Sequence, residues 1–353
     1  MSTFIESVAE FAQTSRSSTF LVDVKKVCSI LQGELAEVYL NDGDEIELVK
    51  QTIKVFNSNP GSHVRLESAF VHGNRSMIAF DYYGKAAQKE LGDLIVVSTL
   101  TNHGTPVLQK MTIVQAKRDT RKTYSWGIDE EQLFFLSNWP EFEGVMGIFP
   151  RRKMIIPDYS GCLGSYYLYR SPGDFVFISA KELDRSLGSK KRITFDKLLQ
   201  FRSDASHTRA FEAPFFGYPG PFKGLDESYD YFKQFYRFIM INRMSTSHYG
   251  IHWGSVTSKI LGNVQFGKSV YDTIGEFCRL NIGEPIFACD SEIPVNEFAY
   301  RLLNTVIRYI ARTEQNRLGQ LIGFNADARY FEDVDLRGMR IGILHTITEV
   351  TTE

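Results

Sequence analysis

Two short apolar runs separated by a turn constrain the fold of this chain more than any other feature. The runs lie at 94–97 and 111–114 and consist mainly of Leu, Ile, Val and Thr, which is typical of buried strands. Between them, residues 102–106 read Asn-His-Gly-Thr-Pro, a sequence of turn-forming residues. The pattern therefore predicts a β-hairpin whose two outer ends come close together.

Polar residues stand at both of those outer ends. Asp93 comes directly before the first run, with Glu90 three positions earlier, and Gln115 and Lys117 follow the second run. Side chains alternate along a strand, so residues two apart project from the same face. We therefore expect Gln115 and Lys117 to point together toward the acid across the hairpin.

These residue types suit a metal-dependent phosphodiesterase site. Mg²⁺ prefers oxygen ligands, which the Asp93 carboxylate and the Gln115 amide or a backbone carbonyl can supply beside a substrate phosphate and water. The ammonium group of Lys117 can hold a water or hydroxide and offset charge in the transition state without itself being the base. Glu90 is a supporting acid in this interpretation.

Asp93, Gln115 and Lys117, with Glu90 nearby, resemble the motif of the PD-(D/E)XK restriction-endonuclease-like superfamily. The likeness is to its Mrr-like variant, in which Gln replaces the second acid, and it covers about residues 64–118. The resemblance implies an α/β fold with a mixed sheet flanked by helices. It also implies a Mg²⁺- or Mn²⁺-dependent DNA endonuclease with Asp93, Gln115 and Glu90 as metal ligands.

The same superfamily usually places a further acid on a helix before the first core strand. The candidates are Glu45 and Glu47, which begin a segment whose apolar residues have helical spacing. Acids in a first helical turn also suit the helix dipole without any metal. Glu67, in a strand-like segment, is a third candidate, and Glu90 is favoured over all of them because it lies next to Asp93.

The order of predicted elements divides the chain into two parts. Residues 1–57 have a helical pattern, and a helix from Glu130 is expected to end before Pro140. We predict a nuclease-like domain over 1–205 and a mainly helical region for assembly or partner docking over 206–353. Aromatic residues crowd the stretch 229–238, which indicates either an association surface or the second region's own core.

Composition indicates a globular protein without a membrane span. Of 353 residues, 43% are hydrophobic and 13% aromatic, enough to fill sizeable cores. No window of about 18 apolar residues occurs, so a cytoplasmic location is expected. The four cysteines lack Cys-x-x-Cys spacing, which argues against a zinc site or a disulfide framework.

Local charge says more than the net charge of −2. Basic residues cluster at 110–122, 151–153 and 190–192, where they either line a phosphate track or form solvated loop tips. Tyr166, Tyr167 and Tyr169 either stack on bases or pack in the core. Neither a Gly-x-Gly-x-x-Gly fingerprint before a helix nor Walker spacing is present, which argues against ATP hydrolysis.

Two classes of function follow. The first is a metal-dependent DNA endonuclease, similar to the effector subunits of bacterial anti-phage systems such as Lamassu, in which an ATPase partner senses foreign DNA. That interpretation expects a homo-oligomer or a regulatory protein partner to restrain cutting. The alternative is a binding module that keeps the nuclease fold and holds nucleic acid or protein without cutting it.

Overall fold

The computed structural model describes residues 4–56, 63–71, 77–120, 123–146, 151–156, 162–188, 190–200, 265–289, 299–304, 306–307 and 341–350. The helices are α1 Phe4–Thr14, α2 Ser18–Leu40, α3 Glu45–Val55, α4 Glu130–Asn138, α5 Ala180–Leu187 and α6 Val270–Cys278. The strands are β1 Val64–Val71, β2 Met77–Tyr82, β3 Lys85–Glu90, β4 Leu94–Asn102, β5 Thr105–Arg118, β6 Ser125–Gly127, β7 Phe142–Met146, β8 Lys153–Met154, β9 Gly164–Arg170, β10 Asp174–Ser179, β11 Arg192–Thr194, β12 Phe266–Gly267, β13 Glu284–Ala288 and β14 Ile341–Val350.

The predicted hairpin forms the middle of the main sheet. β4 and β5 pair antiparallel, and His103 and Gly104 in the turn have φ of 49° and 74°, the left-handed conformation that tight hairpin turns need. Both strands extend beyond the apolar runs, because Ser, Thr, Gln and Lys side chains continue the buried pattern toward the turn. The hairpin prediction is confirmed, with longer strands than the apolar runs alone indicate.

Parallel and antiparallel pairs mix in this sheet, whose strand order is β1-β14-β4-β5-β9-β10-β12, with β13 also on β5. The β4–β14 and β5–β9 pairs are parallel and flank the antiparallel hairpin. A four-stranded sheet, β3-β2-β7-β8, and the β6–β11 pair complete the strands. The predicted mixed sheet flanked by helices is confirmed.

Helices cover both faces of the main sheet. On one face, α2, α3 and α6 pack in a shared core, and α2 contributes Phe20, Val24, Val27, Leu31 and Leu35, which repeat at helical spacing and are fully buried. Burying each large apolar side chain contributes about 1.5–3 kcal/mol. On the other face, α4 and α5 pack in a second core. The helices predicted within 1–57 and from Glu130 are thus confirmed.

Strands from the second part of the chain enter the same sheet. β14 lies between β1 and β4, β12 pairs with β10, and β13 pairs with β5. The sequence analysis did not anticipate these strands. The predicted boundary after residue 205 therefore does not divide the sheet, because described residues on both sides of it share the same cores. The aromatic stretch 229–238 lies outside the described residues.

Several side chains with two open interpretations belong to the core. Tyr166, Tyr167 and Tyr169 of β9 are fully buried, so they pack in the core and are not available to stack on bases. Cys28, Cys162 and Cys278 are buried, and Cys289 is exposed. No helix in the described part of the chain is long and apolar enough to cross a membrane.

Candidate active site at the strand ends

Asp93 is fixed by backbone contacts on both sides. Its N–H donates to the carbonyl of Val114 on β5 at 2.9 Å, and its own carbonyl accepts from the N–H of Gly342 on β14 at 3.0 Å. Gly92 precedes it where a Cβ would come within 2.8 Å of the Ile113 side chain, so only glycine lets the chain approach β5 this closely. Backbone hydrogen bonds thus fix the position of Asp93 independently of its side-chain contacts.

The Asp93 carboxylate turns toward the end of β5. Its Oδ2 accepts from the backbone N–H of Ala116 at 2.8 Å and from the Gln115 amide. Gln115 therefore donates to the Asp93 carboxylate through its amide nitrogen Nε2, and its amide oxygen takes no part in this hydrogen bond. The structure brings together the two residues that the sequence predicted to face each other across the hairpin.

Lys117 meets an acid from a different element. Its Nζ lies 3.4 Å from Glu45 Oε1, and Glu45 Oε2 accepts from the backbone N–H of Arg118 at 3.0 Å. Glu45 is the first residue of α3, and Asp44 caps that helix by accepting from the N–H of Glu47. Of the upstream acids considered from the sequence, Glu45 is the one that reaches the strand ends.

The start of α3 is tied to β5 by further contacts. Arg118 Nη2 lies 3.2 Å from Asp42 Oδ1, and its guanidinium stacks over the Tyr39 ring. The Tyr39 hydroxyl donates to Asp119 Oδ1 at 2.8 Å. Arg118 is therefore structural: these contacts hold the α2–α3 turn against the end of β5 and place the Glu45 carboxylate beside Lys117.

The charges of this site act strongly on Asp93. The pKa of its carboxyl is raised to about 7, chiefly by burial and also by the charges of Glu45 and Glu90, against the lowering effects of the Ala116 N–H and of Lys117. Two other carboxylates and one ammonium group are thus close enough to act on Asp93. A half-buried site with an excess of negative charge favours either a bound proton or a bound cation.

Glu90 and α4 form another wall of the site. The Glu90 carbonyl accepts from Gln132 Nε2 at 2.9 Å, which ties α4 to the segment leading into Asp93. Glu90 itself acts on Asp93 through its charge. Gln132 is buried and serves this structural contact.

Asp129 was not anticipated from the sequence. It caps α4 by accepting from the N–H of Gln132 at 2.8 Å, and it pairs with Lys89 Nζ at 2.8 Å. Burial opposes its ionisation, but the contacts with Lys89 and the charge of Lys117 lower its pKa overall. The Asp-x-x-Gln pattern before the helix was visible as a cap, whereas its place near Lys117 depends on the tertiary fold.

Tyr166 is a second residue that sequence reasoning did not place here. It lies opposite Gln115 in the β5–β9 register, and its buried hydroxyl has no hydrogen-bond partner among the described residues. Burial and then the charges of Asp129 and Asp93 raise its pKa well above the ordinary value. The Tyr166 hydroxyl is therefore a neutral hydrogen-bond donor close to the acidic groups of the site.

The other two upstream candidates lie elsewhere. Glu47 is exposed on α3 and pairs with Lys50 at 2.9 Å. Glu67 is on β1, where its Oε2 lies 3.9 Å from His345 Nδ1 of β14. Neither residue is among the groups that contact Asp93, Gln115 or Lys117 in the described structure.

Glu67 belongs to a row of polar side chains across the sheet. His345 Nε2 lies 2.7 Å from Thr99 Oγ1 on β4, which accepts from Gln109 Nε2 of β5 at 3.2 Å. Since Gln109 donates to this hydroxyl, the hydroxyl can donate its own proton to the imidazole. Burial lowers the pKa of His345 to about 3, so the ring is neutral. We name Glu67, His345, Thr99 and Gln109 the polar row.

The donors at the strand ends fit a divalent cation with few protein ligands. Among the residues that the structure describes, no three His, Cys, Asp or Glu side chains are grouped so as to hold a metal by themselves. Glu45 nevertheless contacts Lys117, and Asp93 is close enough to both for their charges to act on its pKa, so two carboxylates are available near this lysine. Mg²⁺ typically takes one or two carboxylates and completes its shell with water and phosphate.

Comparison with known proteins adds no relative. No protein-family model, curated protein or solved structure matches this chain. Its function is therefore inferred from the geometry of its own residues.

Proposed function

We propose that this chain is a metal-dependent endodeoxyribonuclease of the PD-(D/E)XK type that hydrolyses phosphodiester bonds. The observation that carries the proposal is the meeting of Lys117 with Glu45, beside the paired Asp93 and Gln115. These four side chains come from α3, the start of β4 and the end of β5. Acids, an amide and an ammonium group concentrated at strand ends suit phosphate chemistry better than they suit stability.

Each residue has a role that its contacts support. Asp93 and Glu45 are the oxygen donors for the cation, with Glu90 adding negative charge nearby. When bound, Mg²⁺ or Mn²⁺ supplies a Lewis acid that polarises the phosphate and acidifies a water. Gln115 orients the Asp93 carboxylate through its amide N–H.

Lys117 assists the attack of water on the phosphorus atom. About one quarter of the Lys117 side chain is exposed (23%), so it can reach a phosphate at the surface while it contacts Glu45. There it holds the attacking water or hydroxide and offsets the charge that develops on the phosphate oxygens. Removing such a preorganised donor typically costs about 10²–10³-fold in rate.

The biological setting is part of the same proposal. An endonuclease of this kind requires restraint, and we place it as the cytoplasmic effector subunit of an anti-phage complex. A homo-oligomer or a regulatory partner, such as an ATPase sensor, would release it on foreign DNA. Light scattering of the chain alone and mixed with the products of adjacent genes measures this association, and a monomer in every mixture would exclude it.

Plasmid cleavage tests the reaction. The wild-type chain should nick or linearise supercoiled plasmid with Mg²⁺ or Mn²⁺ and should be inactive in EDTA. Lys117→Ala should lose cleavage while keeping its circular dichroism spectrum and melting temperature. Lys50→Ala is the matched control, because Lys50 is an exposed lysine paired with Glu47 on α3.

Two outcomes would contradict the proposal. Cleavage by folded Lys117→Ala at the wild-type rate would remove the ammonium group from the mechanism. The absence of cutting by the wild type with Mn²⁺, both alone and together with its associated partners, would favour the non-cutting binding module.

A further inference from the structure

The β6–β11 pair continues directly from the strand that carries the candidate site. β5 ends at Arg118, and Thr120 then forms a bridge with Ser125 at the start of β6. β6 pairs in turn with β11, with Arg192 opposite Gly127. We name Thr120, residues 123–127 and residues 190–194 together the basic ribbon.

Exposed cations line this ribbon. Lys190, Lys191 and Arg192 are all exposed, and Arg192 Nη2 is held by Ser125 Oγ at 3.1 Å. Lys191 lies 3.7 Å from Glu130 with 79% of its side chain accessible. A pair this exposed contributes about 0–1 kcal/mol, so Lys191 can exchange the carboxylate for a phosphate at little cost.

The ribbon also runs back toward the site. The Lys191 carbonyl accepts from the N–H of Ile128 at 3.0 Å, immediately before Asp129 and the start of α4. Asp129 is close enough to Lys117 for that charge to lower its pKa. The cations therefore flank the strand ends and do not form an isolated loop tip.

The ribbon begins close to Lys117 along the chain. Thr120 is three residues beyond Lys117, about 10 Å at about 3.3 Å per residue of strand. DNA advances about 3.4 Å along its axis per nucleotide of one strand, so the ribbon begins about three nucleotides from a phosphate held at Lys117.

The second described basic cluster has a different position. Arg151 and Arg152 precede β8, the edge strand of the β3-β2-β7-β8 sheet. β3 is the strand that leads to the site, and at about 4.8 Å per strand it lies about 14 Å from β8. Lys153 of this cluster pairs with Glu141 at 2.6 Å. The two clusters have similar charge but only one adjoins the site.

We propose that the basic ribbon binds the phosphate backbone of double-stranded DNA beside the scissile phosphate, with Lys190 and Lys191 as its principal contacts. This inference rests on the proposed nuclease function, for which it names the path of the substrate. The cluster at 151–153 takes no part in that path.

Two charge-matched double variants test the inference. Binding of a short labelled duplex is measured by fluorescence anisotropy in EDTA, so that no cutting occurs, over a series of salt concentrations. Lys190→Gln with Lys191→Gln should weaken binding about tenfold or more and reduce the salt slope by about 0.9 for each lost phosphate contact. Arg151→Gln with Arg152→Gln should leave affinity and slope at the wild-type values.

The cleavage reaction separates a binding role from a catalytic one. The Lys190 and Lys191 double variant should raise KM for DNA and leave kcat near the wild-type value. Lys117→Ala should weaken binding in EDTA much less than the ribbon double variant does, because it removes one phosphate contact and the ribbon supplies most of the others.

The inference is overturned if both double variants weaken binding equally, if only the 151–152 variant does, or if the wild type shows no salt-dependent binding. Equal effects with cleavage that still depends on Lys117 would reject the ribbon and leave the nuclease proposal in place. Ribbon-dependent binding with no cleavage would instead reject the nuclease.

Discussion

The two ends of the β4–β5 hairpin both contain polar groups, but they use them differently. At the open end, Asp93 and Glu45 crowd one ammonium group, and burial and charge raise the pKa of Asp93 to about 7. Toward the turn, hydrogen bonds link the neutral side chains of His345, Thr99 and Gln109, and burial lowers the pKa of His345 to about 3. The polar row ends at Glu67, whose carboxylate lies 3.5 Å from Arg65 and 3.9 Å from His345. The open end thus groups acids around one ammonium group, whereas the polar row keeps a neutral imidazole at its centre.

This difference teaches how a reactive site can be told from a structural network. Buried polar groups stabilise a fold when they are neutral and hydrogen-bonded to one another. Carboxyl groups forced together cost stability and are typical of functional positions. The contrast therefore favours the strand ends, and not the His345 row, as the place where chemistry occurs.

The largest expected effect comes from changing the helix acid. Glu45→Gln removes a carboxylate that contacts Lys117, so the DNA cleavage rate should fall about 10²-fold or more. Glu47→Gln, two residues along the same helix, should cut like the wild type because Glu47 is exposed and pairs with Lys50. Initial rates of plasmid cleavage by the two variants measure this difference, and equal rates would exclude Glu45 from the site.

The next prediction concerns the free energy of unfolding. The pKa of Asp93 is about 7 in the folded protein, against an ordinary value of 3.8. The folded state therefore binds more protons between these values, and stability is lost as pH rises through that window. At about 1.36 kcal/mol per pKa unit, Asp93→Asn should stabilise the metal-free protein by up to about 4 kcal/mol at pH 8.

Urea unfolding in EDTA at several pH values checks this effect of Asp93→Asn. The gain should shrink as the pH falls toward 4 and disappear below about 3, where the wild-type carboxyl is protonated in both states. If Asp93→Asn is less stable than the wild type by the same amount at every pH, the Asp93 carboxylate stabilises the fold, and burial of its charge does not lower the free energy of unfolding.

The polar row should respond to pH in the opposite direction. The pKa of His345 is about 3 in the folded protein, against an ordinary value of 6.5, so the unfolded state binds more protons between these two pH values. Stability is then lost as pH falls below 6.5, by about 2 kcal/mol at pH 5. In His345→Gln this part of the pH dependence should be absent, as measured by urea unfolding between pH 5 and 7.

The slope with pH decides the outcome for His345, because the substitution also changes packing. A His345→Gln protein with an unaltered slope would mean that the imidazole is accessible to protons in the folded state. The other histidines contribute equally to both proteins and cancel in the comparison.

The smallest predicted effect is stabilisation by metal. A divalent cation at tenfold its dissociation constant should add about 1.4 kcal/mol to the free energy of unfolding. Mn²⁺ should raise the melting temperature of the wild type and of His345→Gln, but not that of Asp93→Asn. A shift retained in Asp93→Asn would place the cation elsewhere.

Local sequence sufficed for the hairpin and for the pairing of Asp93 with Gln115. Both depend on strand alternation and on a short turn, which act over about 25 residues. The choice of Glu45 did not follow, because it lies 72 residues from Lys117 and reaches it only through the packing of α3. Sequence proximity favoured Glu90, which acts on Asp93 through charge.

The position of strand β14 in the sheet is a second feature that local sequence could not predict. Its sequence, Ile-Gly-Ile-Leu-His-Thr-Ile-Thr-Glu-Val, is rich in β-branched residues and has the composition of a buried strand. Nothing local indicates that it inserts between β1 and β4. His345 and Thr99 are 246 positions apart, so the polar row was also not predictable from spacing.

The insertion of β14 also has a consequence during protein synthesis. β4 leaves the ribosome long before residues 341–350 do, so its parallel neighbour β14 is missing at that stage. Until that strand arrives, the carbonyl of Asp93 lacks the Gly342 N–H that fixes it on one side. A nascent chain would therefore lack the ordered candidate site until synthesis reaches that strand. Chains stopped at residue 340 should lose hydrogen-exchange protection at the β4 amides that pair with β14 and keep it at those that pair with β5.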